Sequence, residues 1–118
     1  MKVLVVDDDS MVRFLLHSHI SRAFPGCKVK FAMNGADAVD KVEEFRPDVM
    51  FLDIKMPVMD GISALRRIKQ LSPETNVIMC SSEEDEASIN NSLLLGACDY
   101  IPKPFSKDRV LTTLLKYL

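Results

Sequence analysis

With 118 residues the chain has room for one domain of ordinary size and too few for two. It is 47% hydrophobic and 27% charged, the composition of a globular domain with a packed core. A net charge of −2 leaves no basic footprint for nucleic acid, and no apolar run approaches the length of a membrane span. The apolar stretch after Met1 is too short for a signal peptide, so a cytoplasmic location is expected. The three cysteines, Cys27, Cys80 and Cys98, are odd in number and lack metal-ligand spacing. Cys80 and Cys98 lie in or beside expected strands and read as small buried hydrophobes.

Lys2 to Val6 is a β-branched run, the pattern of a strand covered on both faces. It ends at Asp7-Asp8-Asp9. Ser10 to Phe24 follows with helical period, its core stripe formed by Val12, Leu16, Ile20 and Phe24, and Pro25-Gly26 stops it. Cys27 to Ala32 is a weaker strand whose lysines alternate with Val29, which suits a sheet edge. Asn34-Gly35 opens a second helix with Ala38, Val39, Val42 and Phe45 inward. Val49 to Leu52 is a third strand, fully apolar, and Asp53 stands at its end. Pro57 interrupts the chain there, and Asp60 caps a helix from about Gly61 to Leu71. Val77 to Cys80 is the fourth strand, ending at Ser81-Ser82. Ser82 and Asp85 resemble a capping box for a helix that runs through Ile89 and Leu93 to Gly96. Cys98 to Ile101 is the fifth strand, Pro102-Lys103-Pro104 a rigid loop, and Ser106 caps a last helix with Val110, Leu111, Leu114, Leu115 and Leu118 toward the sheet.

Strand and helix alternate five times, which predicts an α/β fold: a (βα)5 doubly wound, five-stranded parallel sheet with helices on both faces. The order 2-1-3-4-5 follows from strand two being an edge, and it makes strands one and three neighbours at the switch point, where ligands bind outside the carboxyl ends.

Polar groups end those strands: Asp7 and Asp8, Asp53, Ser81 and Lys103. Three carboxylates brought together repel and raise one another's pKa values. A hard divalent cation relieves this, and Mg2+ takes oxygen ligands and serves phosphate chemistry. Lys103 supplies a point charge for a phosphoryl oxygen or for Asp53, and Ser81 a hydrogen-bond donor. Asp53 is then a carboxylate nucleophile for phosphoryl transfer, with cation and ammonium stabilising the charge. Asp9, just beyond the acidic pair, reads as a charge at a helix N-terminus.

The chain resembles the receiver domain of two-component response regulators over essentially all 118 residues. The resemblance is carried by Val5-Val6-Asp7-Asp8, the stretch Leu52 to Gly61, Ser81, Gly96-Ala97, Tyr100 and Lys103-Pro104-Phe105. It implies a flavodoxin-like receiver fold over 1–118 and a signalling domain, not an enzyme, that assists its own phosphorylation and dephosphorylation. By resemblance Asp53 is the phosphoacceptor. Asp8 binds Mg2+ (or Mn2+) directly, Asp7 does so through water, and Asp53 and the backbone carbonyl of Lys55 complete the set. Lys103 matches the family's lysine, and its bond to Pro104 is expected to be cis. Ser81, often Thr in the family, and Tyr100 resemble the switch pair that relays phosphorylation to the face formed by helix four, strand five and helix five. Lys55 and Glu83 match positions that tune dephosphorylation.

Helical spacing leaves Met11, Phe14 and Leu15 opposite the core stripe of helix one, an apolar cluster that suggests a contact surface. The resemblance implies that this cluster, with Pro104 and Phe105, docks a histidine kinase or phosphotransfer domain. The expected output is phosphorylation-dependent binding to a target protein, as in the single-domain chemotaxis regulators, by a monomer or a weak phosphorylation-dependent dimer without direct nucleic-acid or membrane contact. A phosphorelay intermediate, or a receiver cut from a regulator with a DNA-binding or enzymatic output domain, would read alike. A phosphotransferase of the haloacid-dehalogenase type would need an acid where Lys55 stands. A flavin binder would need a glycine- and hydroxyl-rich loop where Asp7-Asp8-Asp9 stand. A receiver serving only as an interaction module would not need the full set of Asp7, Asp8, Asp53, Ser81 and Lys103.

Overall fold

Apolar runs become interior strands when helices cover both sheet faces, and two such runs lead directly into the acidic residues at the sheet edge. In the computed structural model, which describes residues 1–82 and 86–118, these are β1 (Lys2–Val6) and β3 (Val49–Asp53). With β2 (Lys28–Ala32), β4 (Asn76–Ser82) and β5 (Asp99–Lys103) they form one parallel sheet in the order 2-1-3-4-5, as expected. The half-polar β2 is an edge and pairs with β1.

The helices are α1 (Ser10–Ala23), α2 (Gly35–Phe45), α3 (Gly61–Leu71), α4 (Glu86–Leu94) and α5 (Lys107–Leu115). Alternation along the strands splits the core in two. Val3, Val5, Phe51, Ile78, Cys80 and Ile101 pack with Leu16 and Ile20 of α1 and Val110 and Leu114 of α5. Leu4, Val6, Met50, Leu52, Val77 and Met79 pack with α2, α3 and α4 through Val42, Leu65, Ile68 and Ile89. Each such buried side chain contributes about 1.5–3 kcal/mol. Asp9, Asn34, Asp60 and Ser106 cap α1, α2, α3 and α5, each accepting a hydrogen bond from a backbone N–H of the first turn. Each cap is worth about 1 kcal/mol. Cys80 is buried, and Cys98, half-buried, packs on the same core cluster.

Two expectations need correction. Pro102 and Lys103 are not in a loop: they extend β5 and pair with Ser81 and Ser82. An edge strand has one side without a ladder, so the missing proline N–H is tolerated there. Leu115 and Leu118 face solvent at 58% and 50% exposure. The buried stripe of α5 is Val110, Thr113 and Leu114, because the i, i+3, i+4 geometry turns Leu115 a further 100° from the sheet. Leu111 is half-buried. Glu83 and Asp85, the latter half of the expected Ser82–Asp85 box, lie outside the described residues. No helix among the described residues is long and apolar enough to cross a membrane.

Candidate functional site: an acidic cavity at the carboxyl edge

Asp53 is the last residue of β3, Lys103 the last of β5, and Asp7 follows β1 directly. Each continues the side-chain series that packs toward α1 and α5: Val3-Val5-Asp7, Phe51-Asp53 and Ile101-Lys103. The three therefore meet on one side of the sheet edge. Asp7 and Asp53 are 1% and 5% exposed. Lys103 Nζ bridges them, at 2.8 Å from Asp7 Oδ2 and 3.1 Å from Asp53 Oδ1. The cavity above them, about 330 Å3, is lined by Asp7, Asp8, Asp9, Asp53, Lys55, Ser82 and Lys103. A larger open cleft of about 860 Å3 beside α3 shares Asp8 and Lys55 with it.

Burial, and next the Asp7 carboxylate, push the Asp53 carboxyl up to about 6, although Lys103 pulls the other way. Burial alone would lower the pKa of Lys103; the hydrogen bond to Asp7 and the charges of Asp53 and Asp7 outweigh it and raise the value. Carboxylate oxygens of Asp7, Asp8 and Asp53 lie within 4.8 Å of one another. Three crowded, hard oxygen donors, one of them held up in pKa by burial and next by the Asp7 charge, fit a small divalent cation such as Mg2+.

Two supports of this geometry were not singled out in the sequence. Arg13 donates from Nη1 to the Asp7 carbonyl at 2.7 Å, while the Asp9 N–H donates to Asp7 Oδ1 at 2.9 Å. Arg13 stands six residues after Asp7, on the second turn of α1, and only the fold turns it back. Gly61 was expected only as the first residue of α3. A Cβ there would run into the Asp53 carbonyl oxygen, and the Gly61 N–H donates to the Ile54 carbonyl at 2.7 Å. Glycine lets α3 start against the back of the acidic strand.

Ser81 is not among the residues lining the cavity. It is buried, and its hydroxyl donates to the Ser82 carbonyl at 2.8 Å. Tyr100 is half-buried and packs with the core cluster of α2, α3 and α4. It pairs with Met79, as Pro102 pairs with Ser81, which puts Ser81 and Tyr100 on the same sheet face. The Lys103–Pro104 bond is cis, as expected. Met11, Phe14 and Leu15 are 61%, 64% and 39% exposed. Leu15 and Val12 line a groove of about 340 Å3 with Lys103, Pro104 and Phe105; of the expected contact residues of α1, Leu15 adjoins Pro104 and Phe105 there, while Met11 and Phe14 are not in its lining.

The family model described as the response regulator receiver domain matches residues 3–115. The chain belongs to the response regulator receiver family. This receiver is 40% identical over 118 residues to the chemotaxis protein CheY of Bacillus subtilis, covering 99% of this chain and 97% of that one. It is 43% identical over 106 residues to the protein-glutamate methylesterase/protein-glutamine glutaminase 3 of Vibrio cholerae, covering 88% of this chain and 29% of that one. The crystal structure of the receiver domain of NtrX from Brucella abortus superposes with a TM-score of 0.91 at 30% identity, covering 98% and 97% of the two chains. As a response regulator receiver it belongs to phosphorylation-dependent two-component signalling, with a histidine kinase upstream and a target downstream.

Proposed function

We propose that residues 1–118 form one receiver domain that acts as a phosphorylation-activated switch, with Asp53 accepting a phosphoryl group from a histidine kinase or phosphotransfer protein. The observation that carries this reading is the single lysine bridging two buried carboxylates at 2.8 and 3.1 Å, in a cavity where three carboxylates converge. A carboxylate oxygen of Asp53 attacks phosphorus in line with the departing donor nitrogen. The P–O bond forms, the P–N bond breaks, and the donor imidazole leaves with its electron pair. The ammonium of Lys103 then shifts from the carboxylates to a phosphoryl oxygen and neutralises charge there without a proton transfer. Asp7, Asp8, Asp53 and the Lys55 carbonyl would hold Mg2+, which when bound supplies charge neutralisation for the incoming group. Lys55 and Glu83 tune the return reaction with water.

The Ser81 hydroxyl moves toward the phosphoryl group, and the Tyr100 ring turns inward to follow it. Their shared sheet face supports this coupling and carries the change to α4, β5 and α5, where a target protein binds. Met11, Phe14, Leu15, Pro104 and Phe105 dock the phosphodonor protein. The similar CheY suggests a chemotaxis-type, cytoplasmic role; the similar methylesterase shows the same module in a longer chain. The test is intact-mass spectrometry after incubation with acetyl phosphate. A single phosphoryl adduct that disappears in Asp53→Asn and on chelating Mg2+ is expected. An adduct that persists in Asp53→Asn would overturn the assignment.

A further inference from the structure

The two adjacent hydroxyls at the end of β4 point to different sides of the sheet. Along this strand Ile78 and Cys80 pack toward α1 and α5, whereas Val77 and Met79 pack toward α2, α3 and α4. Alternation continues the first series to Ser82 and the second to Ser81. Asp53, Lys103 and Asp7 all belong to the side of Ser82. Register agrees, since Ser82 lies opposite Lys103 and Cys80 opposite Asp53. Ser82 accordingly lines the acidic cavity, while Ser81 sits buried with its hydroxyl on the Ser82 carbonyl.

We infer that Ser82 is a phosphoryl-binding residue, its hydroxyl donating a hydrogen bond to an oxygen of the group carried by Asp53, beside the Lys103 ammonium. This deepens the phosphoacceptor reading and rests on it. A phosphoryl group brings three strong acceptor oxygens into the cavity. Lys103 meets one of them, and a hydroxyl from the neighbouring strand meets another without adding charge. A hydroxyl carries one proton and two lone pairs. Accepting a backbone N–H, as in a helix cap, is therefore compatible with donating to phosphate. No proton changes owner in this contact.

The test compares wild type, Ser82→Ala and Ser82→Thr for the rate of adduct formation with acetyl phosphate and Mg2+. It also compares their affinity for beryllofluoride, a phosphoryl mimic, by calorimetry. Ser82→Ala is expected to react roughly tenfold more slowly and to bind beryllofluoride roughly tenfold more weakly, the usual effect of losing one hydrogen bond to a charged group. Its Mg2+ affinity stays that of wild type, whatever the loss of a helix cap does to its thermal midpoint, and Ser82→Thr, which keeps the hydroxyl, restores rate and affinity. Equal rates and affinities in Ser82→Ala would overturn the inference, as would a loss accompanied by weakened Mg2+ binding or one that threonine does not repair. A wild-type chain that takes no phosphoryl group on Asp53 would instead reject the phosphoacceptor reading, and this inference with it.

Discussion

Burial and the Asp7 charge set the behaviour of Asp53. Its carboxyl is raised from 3.8 to about 6, so between those values the folded chain binds more protons than the unfolded one. Stability from this group is then fully present below the unfolded pKa and is lost as pH rises through 6. At neutral pH without metal the ionised Asp53 is a destabilising charge. Asp53→Asn should raise stability there by about 1–2 kcal/mol, less than a fully desolvated carboxylate would give because the cavity is open to water. The gain should shrink below pH 6, and Mg2+ should stabilise wild type but not the variant; urea titrations across pH read all three effects. Val58 is a second residue whose backbone predicts its response. It holds φ +70° at 85% exposure, a conformation costly for a β-branched side chain that buries nothing in return. Val58→Asn should raise the urea midpoint by the equivalent of about 0.5–1 kcal/mol; a lowered midpoint would deny the strain.

Between elements, the site depends on how closely α3 approaches β3. Gly61 sits against the carbonyl of Asp53 itself, so a methyl group there must move the strand end or the helix start. Gly61→Ala should cost about 1–3 kcal/mol, the range of overpacking. It should also weaken Mg2+ binding, because the displaced group is the acidic residue's own backbone; calorimetric Mg2+ titration of the folded variant checks this. Pairing between elements also decides where β5 ends. Proline and lysine beside a second proline look like a loop, and only pairing with Ser81 and Ser82 makes them strand.

For the molecule as a whole, an acidic cavity and an apolar groove share one edge and meet at Lys103. The cavity is acidic, while the neighbouring groove of Val12, Leu15, Pro104 and Phe105 is apolar with one lysine at its boundary. Phe14→Glu, on the exposed face beside that groove, should slow phosphoryl transfer from a kinase or phosphotransfer protein by tenfold or more. Its reaction with acetyl phosphate should stay at the wild-type rate, since the small donor needs no docking surface. Equal loss with both donors would remove the docking role.

Local chemistry was enough for much of this protein. Apolar runs specify β1 and β3, cap residues such as Asp60 and Ser106 specify helix starts, and the edge character of β2 suggests the strand order, all through interactions a few residues long. The gathering of Asp7, Asp8, Asp53 and Lys103 followed from that order, because strand ends of a parallel sheet must share an edge. Contacts across the chain decided the rest. Arg13 reaches the Asp7 carbonyl and Gly61 makes room for Asp53 only once helices pack on strands. Thr113 displaces Leu115 from the buried stripe because the sheet selects one face of α5. Whether Ser81 or Ser82 lines the cavity turns on strand parity at the end of β4. A shift of one residue reverses that parity, and only the paired sheet fixes it.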